Sequence, residues 1–155
     1  MQQHEGRGEW WVVAQFILLG LIAIAPATLF GLAQLPAWVN PLGFLLAALG
    51  GAAGVAGVIG LGRNLTPFPK PKPDTTLVQS GIYAMVRHPI YFGLILVACG
   101  WAGIRQSLPA LILSIGLAIF FEQKAKREER WLEQQFPAYS EYRQRVKGRI
   151  LPWIA

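Results

Sequence analysis

From Trp10 to Gly62 the chain carries no charged residue. A soluble core helix can be apolar for one to three turns, but not for two long runs in succession. The hydrocarbon core of a bilayer is ~30 Å thick and takes ~20 helical residues to cross. Residues 10–32 and 41–62 each meet that length. Only 14% of all residues are charged, against roughly 25% in an average soluble domain. The first run is longer than the ~7–15 apolar residues of a signal peptide, and a mixed-charge segment precedes it. It therefore reads as a retained transmembrane helix. The single cysteine, Cys99, excludes an internal disulfide and a cysteine-built metal site.

Residues 90–121 are uncharged except at Arg105, and their one polar cluster is Arg105, Gln106 and Ser107. One continuous helix over that stretch would be ~48 Å long, too long for a single crossing. Residues 103–109 have the composition of a turn, so the stretch reads as a hairpin of two short helices. Basic residues cluster in the loop 63–87 and in the tail 124–149. Such clusters prefer the cytoplasmic side. Four crossings, near 10–33, 40–62, 89–104 and 108–122, place both clusters there with the N-terminus. Trp38 and Trp101 would then mark the outer interface, and Trp10, Trp11, Trp131 and Trp153 the inner one. The fold expected is an all-α integral membrane bundle of about four helices with a C-terminal amphipathic cytoplasmic helix. It forms a single domain, 1–155, with an apolar helix pair at 10–62. In the second helix, Ala48, Ala52, Ala56 and Gly60 form one small-residue row, and Gly50 and Gly54 a second. These rows suit close packing inside the bundle, with homodimerisation as the alternative.

The loop runs through alternating prolines, Pro67, Pro69, Pro71 and Pro73, which favour an extended, stiff linker. Then come Gly81-Ile82-Tyr83 and Arg87-His88-Pro89-Ile90-Tyr91-Phe92-Gly93. Pro89 suits the first turn of a helix, whose unpaired N–H groups could seat a carboxylate or phosphate. Taken alone, Arg87 and His88 read as interfacial anchors. The tail from Glu122 has strong helical propensity, with a break at Pro137. Leu132, Phe136, Tyr139 and Val146 recur at near-helical spacing, which fits an element lying on the membrane surface. Charge runs such as 124–130 are usually solvated faces, with Glu128 and Glu129 paired to Lys124, Arg127 or Arg130.

Together these pieces are more specific. The Arg-His-Pro-x-Tyr-x-Gly run at 87–93, with Glu128-Glu129, Leu132, Phe136, Tyr139, Tyr142, Val146 and Pro152 beyond a membrane hairpin, resembles the isoprenylcysteine carboxyl methyltransferases and the related phospholipid N-methyltransferases. The resemblance covers the chain from Leu77 onward. Ile82 stands where many members have proline, and Pro137 where many have glycine. The resemblance implies S-adenosylmethionine as cofactor, held by a half spanning 77–155. It implies Tyr83, His88, Tyr91, Gly93 and Glu128 as cofactor-binding residues, and Arg87, Glu129 and Arg145 as catalytic ones, with no metal. Glu128 suits the cofactor ammonium. Arg87 and His88 suit its carboxylate or ribose. Gly93 would let the cofactor approach the helix backbone. The acceptor implied is a lipophilic carboxylate at the membrane. The alternatives are a phospholipid (ethanolamine) amine or a non-catalytic lipid-binding scaffold. A transporter is disfavoured, since no charge marks an ion path within the apolar helices. The expected partners are membrane lipids, without nucleic acid. The expected location is the inner (cytoplasmic) membrane, multi-pass, with the site facing the cytoplasm.

In a Cys99→Ser background, Lys70→Cys and Gln135→Cys should both react with a membrane-impermeant maleimide from the same side. Labelling of the two positions from opposite sides would end the four-helix topology.

Overall fold

A computed structural model describes residues 8–28 and 34–152. Among those residues every regular element is a helix, joined by turns and extended segments. The helices are α1 (Glu9–Ile24), α2 (Val39–Leu61), α3 (Pro89–Ile104), α4 (Leu108–Gln135) and the short α5 (Tyr139–Arg145), with 3₁₀ turns at Gly62–Asn64 and Gly81–Ala84. Two segments, Val39–Asn64 and Leu108–Gln135, are long and apolar enough to cross a membrane. Helices α1 and α3 have 16 residues each, or ~24 Å.

Three boundaries differ from expectation. Helix α1 stops at Ile24, well before 33, because Pro26 follows. Ala25 turns extended (φ −55°, ψ 127°), as the residue before a proline must. The end of the expected first helix, from 29 on, lies outside the described residues. Helix α4 has no break at 122: its apolar half and its charged half are one helix of 28 residues, ended by Pro137 as anticipated. The separate amphipathic tail helix is α5 alone. The hairpin between α3 and α4 forms where expected. Ser107 caps α4 by accepting from Ala110 N at 3.1 Å, and its own hydroxyl donates to Pro26 O at 2.6 Å.

The main packing partners are α2 with α3, α3 with α4, and α1 with α4. The two apolar helices adjacent in sequence therefore bind different neighbours. Helices α2 and α3 meet along glycines. A Cβ on Gly43 would lie 2.6 Å from Gly100 O, and one on Gly50 2.6 Å from Gly93 O. The contact row is thus Gly43, Gly50 and Gly57, with Gly54 at its edge. Ala48, Ala52 and Ala56, read as a packing row, face outward. Large apolar side chains, among them Phe16, Leu49, Ile59, Ile112 and Ile119, are exposed on the outer surface, as lipid-facing residues would be.

The loop and the tail meet at one end of the bundle. Gln135 Nε2 donates to Lys72 O at 2.9 Å, and Gly8 lies against Pro69. Trp38 and Trp101 are exposed near the opposite end, and Trp10 is exposed at the loop end. Trp131 is not an interfacial marker: it is buried beneath Arg127, whose guanidinium lies 5.0 Å from its ring centre. Trp153 lies outside the described residues. Leu132, Phe136, Tyr139 and Val146 do not face lipid either. They form a small core with Tyr142 and Leu77, so the tail's apolar face is turned onto the loop.

Gly50→Leu should drive a side chain into the α3 backbone and cost about 1–3 kcal/mol or more, lowering the thermal midpoint in detergent. Ala52→Val, on the outer face, should leave the midpoint unchanged. Equal effects would mean that the glycine seam is misplaced.

Candidate active site

Pro89 opens α3, and His88 before it leaves the helical conformation (φ −125°, ψ 63°). Their amides are not left for a ligand. Arg87 N donates to Gly148 O at 3.0 Å and His88 N to Arg149 O at 2.9 Å. The C-terminal segment thus pairs with the start of α3. Side chains reinforce this. Arg87 Nε donates to Glu129 Oε1 at 2.8 Å, and its Nη1 to Val146 O and to Lys147 O. Arg149 Nε donates to Glu129 Oε2 at 3.1 Å, and Arg149 Nη1 to Glu122. His88 Nε2 lies 3.4 Å from Glu129 Oε1, off hydrogen-bond alignment. Glu129, 3% exposed, therefore has both oxygens held by guanidinium groups. It is no solvated member of a charge run. Arg149 is held charged: burial works against it, but the carboxylates of Glu129 and Glu122 raise its pKa.

Above this network lies a cavity of about 310 Å³, a size seen for small-molecule sites. The proline loop forms its outer wall, at Pro67, Pro71 and 75–78. The loop is therefore part of the site rather than a mere linker. The inner wall is Leu61, Ile90 and Leu94, and the polar wall carries Glu128, Tyr139 and Tyr142. Tyr91 joins the two. It donates to Glu128 Oε2 at 2.7 Å and stacks between His88 and Phe121, with ring centres 5.3 and 4.6 Å away. Tyr142 donates to Tyr83 O at 2.7 Å; burial pushes its pKa up to about 12, against the opposing charge of Arg87. Burial, then the charge of Glu129, likewise raises Tyr139. Its hydroxyl is a neutral donor, and it has no hydrogen-bond partner among the described residues.

Of the residues expected at the site, Tyr83, Arg87, His88, Tyr91 and Glu128 line the cavity. Gly93, Glu129 and Arg145 do not. Gly93 serves helix packing, since a Cβ there would lie 2.5 Å from Gly50 O; no cofactor can approach that face. Glu129 sits behind the wall, neutralising Arg87 and Arg149. Arg145 is exposed and donates to Gln79. Sequence reasoning passed over Gln15, Lys124, Arg149 and the Tyr139 hydroxyl. Lys124 stands four residues before Glu128 on the same helical face, a spacing that could have signalled it.

A sequence profile of the phospholipid methyltransferase (PEMT) family matches residues 38–139. The chain belongs to the phospholipid methyltransferase family. Among curated relatives, the cobalt-zinc-cadmium resistance protein CzcN of Cupriavidus metallidurans is 30% identical over 141 residues, covering 90% of this chain and 60% of that protein. Protein-S-isoprenylcysteine O-methyltransferase B of Arabidopsis thaliana is 29% identical over 117 residues, 73% of this chain and 59% of that one. The solved structure of the eukaryotic intramembrane Ras methyltransferase ICMT superposes with a TM-score of 0.68 at 22% identity, covering 98% of this chain and 54% of that chain. This phospholipid methyltransferase family member therefore has the fold of an integral membrane helical bundle. It spans about 60% of the length of the two curated relatives named.

Glu129→Gln should leave Arg87 and Arg149 buried beside a neutral amide. Breaking a buried ion pair from one side costs ~3–5 kcal/mol, so the tail should loosen and become protease-sensitive between 146 and 149. A variant as protease-resistant as wild type would show that the network does not hold the tail.

Proposed function

We propose that this chain is a multi-pass membrane methyltransferase that moves a methyl group from S-adenosylmethionine to a carboxylate on a lipophilic, isoprenylcysteine-like acceptor. The single observation that carries the reading is the cavity. It brings an acid (Glu128), a buried hydroxyl without a partner among the described residues (Tyr139) and apolar helix faces (Leu61, Ile90, Leu94) into one space. Those groups fit the cofactor. Glu128 would take its ammonium and Tyr139 a ribose or adenine acceptor, while the stacked Tyr91 and His88 fix Glu128 from behind. The proposed domain is the whole chain, with 77–155 holding the cofactor and the loop and tail on the cytoplasmic side.

When bound, S-adenosylmethionine supplies a sulfonium methyl group. Its transfer to a carboxylate oxygen, with the C–S bonding pair left on sulfur, would move no proton, so no residue of the chain would have to act as a base. The protein's task is alignment and exclusion of water. The proline loop covers the cavity, and the apolar inner wall lowers the local dielectric, which favours union of an anion with a cation. The charge of Arg87 is taken up by Glu129 behind the wall, which leaves Lys124 on the lining to meet an anionic acceptor and Glu128 to meet the cofactor ammonium. The acceptor would enter from lipid along Leu61, Ile90 and Leu94.

Wild-type protein in detergent should gain about 2.7 kcal/mol of stability at a hundredfold excess of S-adenosylhomocysteine over its Kd. Glu128→Gln should weaken binding by about 1.5–3 kcal/mol, roughly ten- to a hundredfold, while the ligand-free midpoint barely moves. His88 is less suitable for this test because it is buried in the network. A full ligand-induced shift in Glu128→Gln would remove Glu128 from the site.

A further inference from the structure

One buried cation facing the cavity has no carboxylate in contact with it among the described residues. Lys124 is 1% exposed. Its Nζ donates to two neutral oxygens, Gln15 Oε1 at 2.6 Å and Pro67 O at 3.2 Å, and stands 5.3 Å from the centre of the Tyr91 ring. Among the described residues no carboxylate lies within 4.0 Å of it, whereas Arg87 and Arg149 are both paired with Glu129. An ammonium has three N–H donors, and two are used. Burying a charge without an opposite charge is costly. The two neutral oxygens tie Lys124 to α1 and to the proline loop, so its position is fixed while its nearest opposite charge, Glu128, is one turn away and out of contact.

We infer that Lys124 is the carboxylate-binding residue of the cavity, its third hydrogen bond and its charge being satisfied by the carboxylate of a bound small molecule. The inference rests on the methyltransferase reading above, which supplies two such groups: the α-carboxylate of the cofactor and the carboxylate of the acceptor. With Glu128 one turn away on the same face, Lys124 completes a cation–anion pair that matches a zwitterionic amino acid. With Leu94 and Ile90 on the inner wall, it equally faces a greasy acid.

Titration calorimetry on the full chain in detergent tests this with four probes: S-adenosylhomocysteine, its decarboxylated analogue, an N-acetylated S-farnesylcysteine, and the amide of that acid. If the cofactor supplies the carboxylate, wild type should prefer S-adenosylhomocysteine over the decarboxylated analogue by about tenfold or more, and Lys124→Gln should erase that preference. If the acceptor supplies it, the lost preference should be that of acid over amide. In either case Lys124→Arg should restore much of the discrimination. A Lys124→Gln protein that keeps both preferences within about twofold of wild type overturns the inference and leaves the methyltransferase reading standing. Should that variant fail to fold, wild type alone decides: no preference within either pair overturns the inference. A wild type that binds S-adenosylhomocysteine not at all overturns the methyltransferase reading, and the inference falls with it.

Discussion

A buried carboxylate holds this molecule closed. Glu129 accepts from Arg87 at one oxygen and from Arg149 at the other, and so joins the start of α3, the charged half of α4 and the C-terminal segment. Such a cluster is a poor source of net stability, because desolvation offsets most of the attraction. Its effect is positional. Once the three charges are buried, any arrangement that separates them leaves an unpaired ion, and the tail has one low-energy place to lie. Arg87 adds bonds to the carbonyls of Val146 and Lys147, and the Tyr139, Tyr142 and Val146 cluster fills the space between tail and loop.

The cavity follows from that closure and from the glycine seam. Helices α2 and α3 touch backbone to backbone at Gly50 and Gly93, which brings the two ends of the 62–88 loop close together. A loop returning over so short a distance must fold back on itself. Its prolines keep it extended, and Lys124 and Gln135 fasten it at Pro67 and Lys72. The space left beneath has an apolar floor toward the helices and a polar rim toward the tail. Such a division would suit the greasy acceptor and the charged cofactor proposed for it.

Much of this was legible in the sequence. The uncharged run from Trp10, the arithmetic on 90–121 and the prolines at 89, 109 and 137 give the membrane helices, the hairpin and the end of α4. The pairing of the 87–93 motif with Glu128-Glu129 locates the cavity's polar wall. What stayed hidden was direction. Ala48-Ala52-Ala56 and Gly50-Gly54 are equivalent as spacings, and only packing decides which row turns inward. Lys124 and Glu129 look like any solvated charge run until α1 and the proline loop cover the first and the tail covers the second. Arg149 has no local pattern at all: its meaning comes from a partner 20 residues away. Glu128 and Glu129 are adjacent, yet one faces the cavity and the other a structural network, because successive helical residues point ~100° apart.

We propose that the cavity between the proline loop, the 87–91 segment and the 124–142 segment holds S-adenosylmethionine. Ultraviolet crosslinking of the methyl-labelled cofactor to the detergent-solubilised chain, followed by peptide mapping, tests it most directly. The label should fall on peptides containing Tyr83 to Tyr91 or Lys124 to Tyr142, and excess S-adenosylhomocysteine should suppress it. Label confined to α1 or to the membrane-buried part of α2, or label that competitor does not displace, would contradict the account.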